Sequence, residues 1–210
     1  MTRKHRNAVV LVLVIALAGA LFFFITRDDE VIKNINSNGT TIVAFGDSLV
    51  EGVGASDGND FVTLLSERVG EPIINLGVSG NTSAQALLRI DEVLEHDPKV
   101  VLVLIGGNDY LRQVPKSTLF LNLRQIVTRI QNSGSAVIVL GVRGGLLRDN
   151  FDSDYRDLAR ELEAGYVPNV LDGIIGKPDL LSDSIHPNDV GYIRIADKVE
   201  PVLRRVLTAK

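Results

Sequence analysis

The chain has 210 residues, no cysteine and a net charge of −4, from 22 basic and 26 acidic side chains. That length builds one domain of ordinary size plus an appendage, and it buries a core without staples. The missing cysteine excludes disulfides, thiolate catalysis and Cys-based zinc sites, and the acidic balance argues against a nucleic-acid partner.

Residues 1–25 read as a membrane segment. Arg3, Lys4 and Arg6 precede an uncharged run of 18 residues, AVVLVLVIALAGALFFFI at 8–25, and RDDE follows at 27–30. A helix of that length spans about 27 Å, close to the ~30 Å hydrocarbon core. Basic residues before the run and acidic ones after it predict a signal anchor with an extracytoplasmic body. Cleavage at Ala18-Gly19-Ala20 is the alternative and would leave a periplasmic or secreted protein. N-terminal sequencing separates the two: a mature start at Leu21 excludes the anchor. Without the three early basic residues, 19 basic side chains (22 − 3) face 26 acidic ones, a net of −7 for the exported part. Residues 26–39 are polar, end in NINSNG and read as a linker.

From residue 40 to 210 strands and helices alternate. TIVAFG (41–46) is an apolar strand stopped by glycine. A helix is expected over 57–70, with Phe61, Leu64, Leu65 and Arg68 at helical spacing and Gly70 as its stop. PIINLG (72–77) is the second strand. A single helix is expected over 81–97, with Asn81 and Thr82 as caps and Ala84, Leu87, Leu88, Val93 and Leu94 on its apolar stripe. KVVLVLIGG (99–107) is an unbroken apolar run, the pattern of a central parallel strand buried on both faces. A helix over 115–134, a fourth strand over 135–142 and a polar amphipathic helix over 153–166 follow. VPNVL (167–171) is a weak fifth strand, and 187–207 is the closing helix despite Pro201. This alternation predicts a parallel sheet covered by helices on both sides. Its ligand crevice should lie outside the carboxyl ends of the strands.

That rule sorts the polar residues. GDSLVEG, NLGVSGNT and GGND each follow a strand and should open onto one edge of the sheet. Ser48 sits where the first strand turns toward a helix, but a serine needs a base to act as a nucleophile. Of three histidines, His5 precedes the membrane run and His96 ends a helix on the opposite edge. His186, in DSIHPN, precedes the last helix and can face the crevice. Asp183, three residues earlier, has the spacing to fix its tautomer and leave Nε2 free for the serine proton. An imidazole, ordinarily half-protonated at a pH of roughly 6.5, would fail as a base at lower pH. Oxyanion donors are sought in the backbone N–H groups of Ser48 and Gly80 and in the Asn108 side-chain amide. Asp47 and Asp109 read as turn or cap residues, and Gly52 and Gly54 as turn formers. G-x-S-x-G is absent because Val50 takes the last place, which argues against the α/β-hydrolase fold. One histidine in the crevice and no H-E-x-x-H leave no metal site, and no phosphate loop appears.

GDSL at 46–49, Gly80 in VSGNT, GGND at 106–109 and DSIHP at 183–187 resemble, in order, the four blocks of the SGNH/GDSL hydrolases. The resemblance covers 41–207, and none of the blocks departs from the pattern. NLGVSGNT and VLVLIGGNDYLR are most similar to the bacterial periplasmic thioesterase/lysophospholipase (arylesterase) branch. The resemblance implies a flavodoxin-like three-layer α/β/α sandwich of strand order 2-1-3-4-5. It implies Ser48 as nucleophile, Asp183 and His186 as the rest of a triad, and Ser48, Gly80 and Asn108 as the oxyanion hole, with no cofactor. The expected substrate is a small-molecule or lipid ester with a short to medium acyl chain, carboxylic or thio, including lysophospholipids. In VRGGLLRDNF (142–151), Leu146, Leu147 and Phe151 are candidates for an acyl pocket, and Arg143 or Arg148 for a charged head group. Deacetylation of envelope glycans is the enzymatic alternative, and a tethered acyl- or glycan-binding domain the non-enzymatic one.

Overall fold

The computed structural model describes residues 31–142 and 151–209. The expected signal anchor, over 1–25, lies outside them. Five strands form one parallel sheet: β1 (Thr41–Gly46), β2 (Ile73–Gly77), β3 (Pro98–Leu104), β4 (Ala136–Leu140) and β5 (Gly165–Val167), in the order β2-β1-β3-β4-β5. The unbroken apolar runs explain the middle of this sheet. Val43, Ala44 and Phe45 of β1, Val101 and Leu102 of β3 and all of β4 are sealed from solvent on both faces. Two groups of helices cover them. On one side α2 (Phe61–Val69) packs on α8 (Asp189–Thr208). On the other, α3 (Ser83–Leu88), α4 (Ile90–Leu94) and α7 (Phe151–Glu161) pack against α6 (Lys116–Asn132). Two short helices, α1 (Ser48–Glu51) and α5 (Gly107–Leu111), follow β1 and β3 directly.

Three stretches of the chain differ from the sequence reading. The helix expected over 81–97 breaks at Arg89, whose φ/ψ of −108°/16° leaves the helical region. The break shifts the phase, so Ala86, Ile90 and Val93 are buried while Ala84 and Leu88 of the expected stripe are exposed. The helix expected to reach residue 166 stops at Glu161. Glu163 adopts φ 51°, and β5 then uses Gly165–Val167 rather than 167–171. A three-residue strand is too short to show a period of its own; its pairing with Ile138–Leu140 makes it.

The third difference concerns the expected linker. Its described part, residues 31–39, is folded onto the domain. Ile32 is 4% exposed and joins the core. The Lys33 N–H donates to the Glu163 carbonyl at 2.7 Å, and Asn34 Nδ2 donates to the carbonyls of Gln131 at 2.7 Å and Ser135 at 3.1 Å. These acceptors precede β4 and β5, so the segment runs along the amino edge of the sheet. One apolar residue in a polar stretch carries no periodic signal, and only the tertiary contacts reveal its burial.

Because the strand order reverses direction between β1 and β3, a crevice opens outside their carboxyl ends. Gly46, the last residue of β1, and Gly106, just beyond β3, stand at that edge.

Candidate active site

The apolar run of β1 ends at Gly46, and Asp47 caps the next helix by accepting from the Leu49 N–H at 3.1 Å. Ser48 is therefore the first residue of α1. Its N–H falls outside the helix's own hydrogen-bond ladder and is available to a ligand. The helix is four residues long and stops at Gly52, with φ 96°.

The loop before α8 closes on itself. Ser182 N donates to the His186 carbonyl at 2.9 Å, and Asp183 Oδ1 accepts from the N–H groups of Ile185 at 2.8 Å and His186 at 2.7 Å. Gly54 brings this loop against the one after α1: a Cβ there would stand 2.2 Å from Ser182 Oγ and 2.5 Å from the Pro187 carbonyl. Asp189 adds a second tie, accepting from Ser56 N at 2.8 Å and Ser56 Oγ at 2.7 Å. The result is a line of contacts: Asp183 Oδ2 is 2.7 Å from His186 Nδ1, and His186 Nε2 is 3.0 Å from Ser48 Oγ. Three bonds to Asp183, from the His186 ring first and then the two backbone N–H groups, hold its carboxyl at about 2. An ionised carboxylate only accepts, so Nδ1 carries the proton of the neutral ring and Nε2 presents a lone pair to Ser48.

The loops after β2 and β3 are bound to each other. Asn108 Nδ2 donates to the Asn81 carbonyl at 3.1 Å. Asp109, 1% exposed, accepts from Ser83 N at 2.8 Å and Ser83 Oγ at 2.6 Å, and Asn122 Nδ2 reaches the same Ser83 Oγ at 3.0 Å. Asp109 is thus a cap, but of α3 rather than of its own helix. Thr82 caps α3 in a capping box with Gln85, whereas the Asn81 side chain, expected to cap as well, accepts from Arg89 instead.

Ser48, Gly80, Asn108 and His186 line one cleft of about 450 Å³, and the Asp183 carboxylate stands behind the imidazole. His96 lies elsewhere: its carbonyl accepts from Thr41 Oγ1 at the amino edge of the sheet. Arg143, Leu146, Leu147 and Arg148 lie outside the described residues. Phe151 is not among the described residues that line the cleft. It stands behind Tyr110, edge-on at 6.1 Å, and also meets Phe120 at 6.0 Å.

The apolar wall of the cleft comes instead from Tyr110, Leu111, Leu171, Ile175 and Ile185, none of which the sequence reading singled out for that task. Leu171 and Ile175 belong to a coil after β5. Lys198 holds that coil from behind, with Nζ 3.3, 3.1 and 2.5 Å from the carbonyls of Asn169, Val170 and Asp172. The signal present in the sequence was apolar residues among Gly, Pro and Asn in PNVLDGIIGKP. Such a stretch has no period to read, and its start, in VPNVL, reads as a strand.

Asp47 forms the floor beside Ser48 and is 2% exposed. Burial pushes its carboxyl from 3.8 up to about 7; the Leu49 N–H and His186 lower it, and Asp109 raises it further. Between the unfolded and folded values the folded protein binds the extra proton, so its stability falls as pH rises through that window. The loss amounts to at most about 4 kcal/mol. Asp47→Asn keeps an oxygen for the Leu49 N–H and cannot titrate. Its melting temperature is expected to match the wild type near pH 4 and to exceed it by roughly 5 °C at pH 8. Parallel Tm–pH curves for the two proteins would show that Asp47 stays ionised throughout.

A model of the GDSL-like Lipase/Acylhydrolase family matches residues 44–194. The protein named Esterase TesA, from Pseudomonas aeruginosa, is 29% identical over 179 residues, which cover 80% of this chain and 89% of that protein. Thioesterase 1/protease 1/lysophospholipase L1 of Escherichia coli is 31% identical over 166 residues, or 75% of this chain and 80% of that one. Among solved structures, the crystal structure of TesA superposes with a TM-score of 0.73 at 28% identity, over 80% of this chain and 99% of that chain. AlinE4, described as an SGNH-hydrolase family esterase, gives 0.63 at 32% identity, over 82% and 98%.

Proposed function

The chain belongs to the GDSL-like lipase/acylhydrolase family of ester hydrolases, and from that premise we propose that it cleaves short- to medium-chain carboxylic esters and thioesters through Ser48, His186 and Asp183. The observation that carries this reading is the unbroken relay from Asp183 through His186 to Ser48 at a cleft with apolar walls. Ser48 Oγ attacks the acyl carbonyl as His186 Nε2 takes its proton. The carbonyl oxygen gains the negative charge and is met by the N–H groups of Ser48 and Gly80 and by Asn108 Nδ2. Collapse breaks the bond to the leaving alcohol or thiol, which receives the proton from His186, and leaves an acyl group on Ser48. Water, deprotonated by the same ring, then releases the acid.

Tyr110, Leu111, Leu171, Ile175 and Ile185 favour an apolar acyl group of several carbons, lysophospholipids included, over the acetyl group of a glycan. Family membership leaves the sequence-level alternative of a non-enzymatic binding domain without support. We further propose that the domain works outside the cytoplasm, tethered by residues 1–25. The test is hydrolysis of p-nitrophenyl esters from acetate to octanoate, with a fluorophosphonate probe beside it. We expect kcat/KM to rise from acetate to at least butyrate, and the probe to label Ser48. A profile that peaks at acetate would favour the glycan deacetylase reading. An unlabelled Ser48 in folded protein would remove the serine mechanism.

A further inference from the structure

Arg89 turns its charge inward. It stands at the break between α3 and α4, and its side chain is 12% exposed. The guanidinium lies over the Phe45 ring, 4.3 Å from its centroid. Nη2 donates to the Gly46 carbonyl at 2.7 Å and Nε to Asn81 Oδ1 at 2.7 Å, while Nη1 reaches Glu92 at 3.4 Å. Both inner acceptors matter. Gly46 closes β1 two residues before Ser48, and its carbonyl also accepts from the Val78 N–H at 3.1 Å. Asn81 follows Gly80, and its own carbonyl holds the Asn108 amide. One planar cation therefore spans the end of the nucleophile strand and the Gly80 loop, and it binds the side chain of the residue whose carbonyl anchors the amide.

We infer that Arg89 is a positioning residue for the oxyanion hole: it sets the distance between the Gly46 carbonyl and Asn81, so that the Ser48 N–H, the Gly80 N–H and Asn108 Nδ2 converge on one point. This rests on the oxyanion assignment proposed above. With one N–H of Asn108 Nδ2 fixed on the Asn81 carbonyl, the other has a defined direction into the cleft. Moving Asn81 turns that direction. A misplacement of about 1 Å at such a site costs on the order of 100-fold in rate. A lysine carries the charge but lacks the fork that meets two acceptors at fixed angles.

The helix break falls at the same residue, and the non-helical φ/ψ at Arg89 accompanies its two inward bonds.

A double-mutant cycle separates positioning from general support. The full chain is compared as wild type, Arg89→Gln, Asn108→Ala and the double variant, with kcat, KM and Tm read for each. Arg89→Gln is expected to lower kcat by about 30-fold with KM changed by less than about threefold. In the Asn108→Ala background the same change should cost less than about threefold, because the donor it orients is gone. Arg89→Lys should recover under a tenth of the lost rate. Equal losses in both backgrounds, or a loss of Tm with kcat unchanged, would overturn the inference and leave the esterase reading intact. An Asn108→Ala variant with full kcat would overturn the oxyanion assignment, and the role of Arg89 with it. If Arg89→Gln does not fold, Asn81→Ala removes the Nε acceptor alone, and the same cycle is read with it: additivity with Asn108→Ala again overturns the inference.

Discussion

Replacing Ser48 by alanine is expected to lower kcat/KM on p-nitrophenyl butyrate by about 10⁴-fold or more. The oxygen removed is the attacking atom, the one that meets His186 Nε2 at 3.0 Å. Asp47 beside it is buried and accepts from Leu49, and the hydroxyl of Ser83 is committed to Asp109 and Asn122. The fold should survive. Alanine is a better helix former than serine, and the cap of α1 belongs to Asp47. The His186 ring, freed of its partner, faces a cleft open to water. Equal Tm and lost turnover are therefore expected together, and loss of fluorophosphonate labelling with them. A variant that keeps more than about a tenth of the wild-type rate would mean that another group attacks the ester.

Asp183→Asn is expected to be nearly as damaging, by about 10³- to 10⁴-fold in kcat at neutral pH. The carboxylate does two things at once. Oδ1 closes the turn by accepting from the N–H groups of Ile185 and His186, and Oδ2 meets His186 Nδ1. Asparagine keeps the first task with its amide oxygen. Its NH₂ then faces Nδ1, which must become the acceptor. The proton moves to Nε2, and the ring presents an N–H to Ser48 Oγ where it needs a lone pair. Tm should stay within about 2 °C of wild type, because the turn is still closed. Asp183→Ala opens the turn as well and should lose both activity and Tm. If Asp183→Asn retained more than a tenth of kcat, the carboxylate would not be setting the tautomer. The wild-type carboxyl is held at about 2, chiefly by the His186 ring, so it stays ionised across the working range. A fall in activity above about pH 4 therefore belongs to a different group.

Much of the site was legible because its signals are local. An unbroken run such as VVLVLIGG can only be buried on both faces, which makes it a central parallel strand with glycine at its end. Three such strand ends carried GDSL, VSGNT and GGND, and the rule for ligand crevices in parallel sheets put them together. DSIHPN packages Asp183 and His186 in one turn, so their contact needs no other part of the chain. The cleft wall was not legible. Leu171 and Ile175 lie in coil, where apolar residues follow no period, and their position depends on Lys198 in another element. Arg89 read as one polar residue in a long helix. Its two inward bonds, to Gly46 and Asn81, 43 and 8 residues away, are visible only in the tertiary structure, where they coincide with a break in that helix.

The sequence by itself determined the order of the main strands and helices, the candidate residues for the chemistry and the sheet edge that holds them. These follow from periodicity, from glycine at strand ends and from spacings within single turns. The tertiary structure decided what depends on the path of the chain. It brought Ser48 and His186, 138 positions apart, to 3.0 Å. It folded residues 31–39 onto the amino edge, made a strand of Gly165–Val167, and chose which apolar side chains line the cleft. The physical reason is the same in each case. A residue's own pattern records whether one of its faces is buried, while the partner that buries it is selected by the packing of the whole domain.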